Sequence, residues 1–251
     1  MLIETPTNPL LDIVDLEQIQ KFSEKKGVPY FFDNTFATME LQDGLKFGAK
    51  VVYYSASKYL GGHHNAIGGI AVTRDRQLAD EIRQHRRYLG NAISPFAAHT
   101  IHMGLGTLPI RMREHSKNAQ IVAEYLAQQP MVSQVYYPGL PSHPGHEIAK
   151  KQMKNFGGVV SFKINADPEV FADAVASQDT QVIRLSESLG SIVSLLANPA
   201  KMSNRHMTPE QRAAIGVDDN LFRFSVGIED SGDIINSLEE AFDKTKATSS
   251  K

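Results

Sequence analysis

Two short stretches of this sequence end in residues able to do chemistry. Tyr30-Phe31-Phe32 runs straight into Asp33, and Val51-Val52-Tyr53-Tyr54 runs into Ser55-Ala56-Ser57-Lys58. Apolar runs of this kind read as buried strands, and in open α/β sheets ligands collect at the carboxyl ends of strands. Asp33 and Lys58 could therefore face one crevice. A lysine amine forms Schiff bases with aldehydes, and a carboxylate can hold a pyridine nitrogen protonated. The hydroxyls of Ser55 and Ser57, on one side of an extended backbone, can donate to a phosphate. Together these groups suit pyridoxal phosphate (PLP). Singly they do not decide it, because a strand-end Asp also caps turns and most lysines are simply solvated.

The elements that must position these groups alternate between helix and strand. Leu16, Ile19 and Phe22 recur at helical spacing over 16–25, after a capping Asp15 and before Gly27. Residues 28–32, 51–54 and 68–72 read as strands, and 39–47 as a short helix stopped at Gly48. From 75 onward the texture is helical, over 75–89, 95–105 and 108–129. Gly104, Gly106 and Pro109 mark a break. Gly104-Leu105-Gly106 lacks the further spaced glycine and the preceding strand of a dinucleotide fingerprint.

Past Pro130 strands are predicted at 132–137, 158–164, 192–196 and 221–228, with a Pro/Gly-rich loop over 137–144. Helices follow at 167–177 and 230–244, and the tail 244–251 is small, polar and expected to fray. Over 221–228, Phe222, Phe224, Val226 and Ile228 fall on one face, Arg223 and Ser225 on the other. The fold class is α/β, with a domain boundary near 118 that divides the chain into 1–118 and 119–251.

Composition removes several function classes. The 251 residues hold 26 Lys+Arg against 28 Asp+Glu, a net charge of −2, so there is no basic footprint for nucleic acid or an anionic membrane. Cys is 0, which excludes disulfides, zinc-thiolate sites and a cysteine nucleophile. No apolar run approaches the ~20 residues of a bilayer span, and no export signal is evident. A cytoplasmic protein is expected. The histidine pairs His63-His64, His99/His102 and His143/His146 are too few ligands for zinc, and no metal is expected. Ser55-Ala56-Ser57-Lys58 also fits S-x-x-K, but that motif needs its Ser at a helix start and S-D-N and K-T-G companions, which do not occur.

A larger set of motifs resembles one family. Glu4-Thr5-Pro6-Thr7-Asn8-Pro9, Asp33-Asn34-Thr35-Phe36-Ala37-Thr38 and Ser55-Ala56-Ser57-Lys58-Tyr59-Leu60-Gly61-Gly62-His63 are similar to the PLP enzymes of cysteine and methionine metabolism. Further matches are Ser94-Pro95-Phe96, Leu108-Pro109-Ile110-Arg111-Met112, Tyr137-Pro138-Gly139-Leu140-Pro141-Ser142-His143-Pro144, Glu187-Ser188-Leu189-Gly190 and Leu221-Phe222-Arg223-Phe224-Ser225-Val226-Gly227-Ile228-Glu229. The resemblance runs in order along essentially the whole chain. It implies an aspartate-aminotransferase-like fold (fold type I). The chain would hold part of a large domain, with a mixed, mostly parallel sheet, and a C-terminal α+β small domain.

By this resemblance Lys58 carries the cofactor and Asp33 faces its pyridinium nitrogen. Ser55 and Ser57 bind phosphate, and Asn8 approaches the phenolic oxygen. Arg223 and Ser188 hold the substrate α-carboxylate, and Glu187 meets the distal amino group of cystathionine. The implied activity is trans-sulfuration at the γ-carbon of cystathionine or an O-activated homoserine, of the cystathionine γ-synthase or γ-lyase type. Methionine γ-lyase, cystathionine β-lyase and homoserine-ester sulfhydrylase chemistry are alternatives, since the early steps are shared.

The sequence departs from the family pattern at His64-Asn65, Ser191-Ile192-Val193 and Asn204-Arg205. The resemblance also begins after the family's N-terminal arm and its phosphate-binding and ring-stacking segment. A truncated or internally started member is therefore expected, one that alone binds PLP weakly and turns over little. A non-catalytic remnant or an assembly subunit is the non-enzyme alternative. Relatives form homo-oligomers, tetramers built from dimers.

Overall fold

The computed structural model describes residues 1–249. Four strands form the first sheet: Leu2–Glu4 (β1), Phe31–Asp33 (β2), Val51–Ser55 (β3) and Gly69–Val72 (β4), in that spatial order. β1, β2 and β3 run parallel, and β4 returns antiparallel to β3. The first strand was not foreseen. Its three residues carry no alternation to read, and it exists because Leu2, Ile3 and Glu4 pair in register with Phe31, Phe32 and Asp33.

Helix α1 (Leu16–Lys26) lies where its spacing predicted it. The Asp15 carboxylate accepts from Gln18 N at 3.1 Å, and Gly27 ends the helix at φ 61°. The next strand is shorter and later than its apolar run suggested, because Val28 is 41% exposed and pairing begins only at Phe31. The helix expected over 39–47 is only Thr38–Leu41 (α2). Asp43 turns the chain by accepting from the amides of Leu45 and Lys46 at 3.1 and 3.2 Å. Gly44 then lies flat against the Phe32 ring, where any Cβ would collide.

Helices α3 (Arg76–Tyr88), α4 (Pro95–Leu105) and α5 (Leu108–Leu126) follow. Ser94 caps α4 by accepting from Ala97 N at 3.1 Å, and Gly106 closes it. Helix α5 joins two cores. Leu108 and Met112 pack with Leu16, Phe32 and Tyr59; Ala119, Val122 and Leu126 pack with Phe162, Phe222 and Phe224.

The second core backs a five-stranded sheet of Val132–Tyr136 (β5), Val159–Ile164 (β6), Ile183–Leu185 (β7), Ser194–Ala197 (β8) and Leu221–Ser225 (β9), ordered β5-β6-β9-β8-β7. All neighbours are antiparallel except β7 with β8. Helices α7 (Pro168–Ala176) and α9 (Ser231–Ser249) cover it. Phe171 stands edge-on to Phe222 at 5.1 Å and stacks on Phe242 at 5.1 Å. Each such buried ring contributes about 1.5–3 kcal/mol.

Helix α9 runs on to Ser249, so 244–249 is ordered helix rather than frayed tail; Ser250 and Lys251 of that tail lie outside the described residues. Two short helices were not foreseen, α6 (His146–Gln152) and α8 (Pro209–Ala214). Gln152 on α6 ties the C-terminal half to the first sheet's helices, accepting from Leu16 N at 3.1 Å and donating to Val14 O at 3.0 Å.

Candidate active site

Lys58 sits in a wide turn, Ala56–Leu60, directly after β3. Gly61 N donates back to Ala56 O at 2.9 Å, and Gly62 N to Lys58 O at 2.7 Å. Lys58 itself leaves helical geometry at φ −94°, ψ −133°. The turn is fastened from α5. Arg111, buried, donates to Tyr59 O and Gly104 O, each at 2.7 Å, and through Nε to Thr107 Oγ1 at 3.0 Å. Gly62, at φ 74°, has no Cβ that would strike this guanidinium. The turn also corrects one expectation. Ser57 is not on extended backbone beside Ser55; its hydroxyl accepts from Gly68 N at 3.0 Å and closes the loop.

A single hydrogen-bonded chain leads out from Lys58. Its Nζ donates to Ser188 Oγ at 2.7 Å. The carbonyl of Ser188 accepts from Arg223 Nη2 at 2.7 Å, and Arg223 Nη1 donates to Asn8 Oδ1 at 3.0 Å. Ser188 takes φ 78°, unusual for a residue with a side chain. Gly190 follows at φ 77°, so close to the lysine turn that a Cβ would lie 2.7 Å from Tyr59 N. Its amide donates to Ser225 Oγ at 2.8 Å. Arg223 and Ser225 thus do use the face of β9 opposite Phe222 and Phe224, and both are buried.

The charges here are uncompensated. Arg223 is 4% exposed, its partners among the described residues are neutral, and its Nε has none. Burial pulls its pKa down, against weaker opposing effects of Tyr59 and Glu187. Burial also lowers the Lys58 amine, helped by the Arg223 charge and opposed by Glu187. Glu187 is exposed at the rim.

Asp33 ends β2, half-buried, and its carboxylate accepts from Thr35 N at 2.9 Å. Thr35 Oγ1 in turn accepts from Ser55 N at 2.8 Å, so Thr35 fixes the end of β2 to the end of β3. Beside Asp33 in register is Glu4, whose pKa is raised by burial and by the Asp33 charge. The structure therefore brings Lys58, Ser188, Arg223 and Asn8 into direct contact. Asp33, Ser55 and Ser57 lie on the strand-end side, and Glu187 stands at the rim. Thr35 was missed as a positioning group, although it lies inside the quoted Asp33 motif.

Residues 1–243 match the family described as Cys/Met metabolism PLP-dependent enzyme. The cystathionine gamma-synthase of Mycobacterium bovis is 45% identical over 239 residues, 95% of this chain and 60% of the relative. The cystathionine beta-lyase of Lactococcus lactis is 42% identical over 96% of this chain and 63% of its own length. A solved cystathionine gamma synthase from Xanthomonas oryzae pv. oryzae, in complex with aminoacrylate and cysteine, superposes with TM-score 0.94. It is 42% identical over 98% of this chain and 63% of that one. The chain thus spans about three fifths of the length of these relatives. With the fold, the strand-end lysine and the ordered motifs all in agreement, the chain belongs to the PLP-dependent enzyme family of cysteine and methionine metabolism.

Proposed function

We propose that this chain carries the lysine and the carboxylate-binding arginine of a PLP-dependent trans-sulfuration enzyme acting at the γ-carbon of cystathionine or an O-activated homoserine. The observation that carries this reading is Arg223, a buried guanidinium with a free Nε and no anionic partner among the described residues. A buried unpaired charge is costly. A substrate α-carboxylate offers the paired acceptors that a guanidinium fork fits.

The residues present suit PLP. Lys58 offers a half-buried amine of lowered pKa, which favours the neutral, nucleophilic form. Asp33 would face the pyridine nitrogen, Ser55 and Ser57 the phosphate, and Asn8 the phenolic oxygen. When bound, PLP supplies an electron sink for the bond broken at the substrate's α-carbon. Arg223 and Ser188 bind and orient the substrate carboxylate. Lys58 moves the proton at Cα, with its Nζ held toward the substrate side by Ser188 Oγ. Glu187 at the rim meets the distal ammonium of cystathionine.

The relatives' names include γ-synthase, γ-lyase and β-lyase, and the β-lyase among them supports β-lyase chemistry as the second reading. We read the chain as cytoplasmic and as part of a homo-oligomer, as its resemblance to the family implies. No helix among the described residues is long and apolar enough to cross a membrane. Exposed Ile67, Phe96, Met103 and Ile110 support assembly.

The test is to add PLP to the chain and record visible absorbance. L-cystathionine, or an O-acyl-homoserine with L-cysteine, is then supplied and product followed by mass spectrometry. At saturating PLP, absorbance that disappears in Lys58→Ala is expected, with turnover of one of these substrates that is slow because the chain spans only about three fifths of its relatives' length. Absorbance that persists in Lys58→Ala overturns the assignment of Lys58.

A further inference from the structure

Helix α5 presents three buried polar side chains on one face, Arg111, His115 and Asn118. Their spacing of four and then three residues stacks them in a row. Each end of the row is committed to one half of the site. Arg111 donates to Tyr59 O, next to Lys58, at 2.7 Å. Asn118 donates to Gly227 O at 3.2 Å and Glu229 O at 2.8 Å, just beyond β9 and Arg223.

His115 stands between them and touches both halves. Its Nδ1 lies 2.8 Å from Val226 O, and its ring meets Tyr59 edge-on at 5.1 Å. A carbonyl only accepts, so Nδ1 carries the proton and Nε2 is bare; Nε2 has no partner among the described residues. Burial lowers the ring's pKa to about 4, with the Arg111 charge acting in the same direction, so the ring is neutral and adds no further positive charge to those of the site. Val226 also donates to Gly158 O at 2.8 Å. Gly158 lies so close that a Cβ would stand 2.7 Å from Tyr59 Oη and 2.8 Å from His115 Cβ. Nothing at this junction has slack. A core site needing only bulk would not require a donor aimed at one carbonyl.

We propose that His115 is a positioning residue, setting the carboxylate-binding strand of Arg223 relative to the lysine turn through its bond to Val226 and its contact with Tyr59. The inference rests on the reading of Lys58 and Arg223 given above.

Two variants separate the contacts. His115→Phe keeps a ring against Tyr59 and removes the donor; His115→Asn keeps a donor and removes the ring. The PLP-loaded chain is titrated with L-alanine, which has a carboxylate, and with ethylamine, which has none. His115→Phe should bind L-alanine about tenfold more weakly, with ethylamine affinity and PLP absorbance unchanged. His115→Asn should stay within about twofold of the parent for L-alanine. Unchanged L-alanine affinity in His115→Phe, or equal weakening of both probes, overturns the proposal.

A measurement without cofactor keeps the inference separate from the proposed function. In hydrogen–deuterium exchange on the chain alone, His115→Phe should speed exchange in 223–229, and His115→Asn should restore 223–229 while speeding exchange in 57–62. A change confined to α5, or absent from 223–229, overturns the positioning role even if PLP binds. Failure of PLP to bind, with the exchange pattern as expected, removes only the proposed function. If His115→Phe does not fold, His115→Leu, smaller and also without a donor, takes its place in both measurements.

Discussion

Nη1 of Arg223 and Oδ1 of Asn8, 215 positions apart in the chain, stand 3.0 Å apart. The pairing holds a buried cation with a neutral amide, so the guanidinium is oriented without being neutralised. Most buried arginines meet a carboxylate; this one meets only neutral partners among the described residues, which is the basis for proposing that it takes a substrate anion.

Substituting Arg223→Met should therefore separate stability from function. Removing an unpaired buried charge should leave stability unchanged or raise it by about 1–2 kcal/mol. Amino-acid affinity should fall about a hundredfold, the loss of charge-assisted hydrogen bonds. Thermal melting alongside calorimetric titration with L-alanine checks both, and a lowered melting point would show that the cation stabilises the fold.

Stability should decline with acid in a window set by His115. In the fold its pKa is held to about 4, against an ordinary 6.5. Below about pH 6.5 the unfolded chain takes up a proton that the fold does not. Stability is thus fully present above that pH and falls by up to about 3 kcal/mol toward pH 4. His143, also lowered by burial, acts in the same direction. Urea unfolding midpoints at pH 7 and pH 4.5 should converge partly in His115→Asn.

Lys58 should be the most reactive lysine at mildly alkaline pH. Its amine is lowered by burial and by Arg223, and Glu187 opposes this. Glu187→Gln should move the labelling midpoint to lower pH, and Arg223→Met to higher pH. Borohydride trapping of a small aldehyde across a pH series, followed by peptide mapping, reads the midpoint at Lys58 directly.

Gly190→Ala should destabilise the chain by about 2–4 kcal/mol and loosen the site together with the fold. The residue takes φ 77°, and its added methyl would press on the backbone of Tyr59. A urea midpoint close to that of the parent would refute the close approach between the two segments.

The candidate site residues were legible because each follows a local signal. Asp33 and Lys58 end apolar runs, and Arg223 falls opposite Phe222 and Phe224 in a period of two. What escaped depends on distant partners. The short α2 is decided by Gly44 lying on Phe32, and β1 exists only through pairing with β2. Ser57 carries a hydroxyl of the right type, yet its hydrogen bond to Gly68 follows from a turn that no periodicity announces. Arg111, His115 and Asn118 look like the solvated side of an amphipathic helix. They are buried because α5 is enclosed on that side too, with backbone carbonyls from the lysine turn and from the end of β9.

That enclosure governs how the molecule comes apart. Leu108 and Met112 belong to one core, and Val122 and Leu126, further along the same helix, to the other. Neither core can melt without withdrawing a helix that the other has half buried. Two sheets that could have unfolded independently are thereby coupled through one helix. A single protease cut within 108–126 would disconnect both at once.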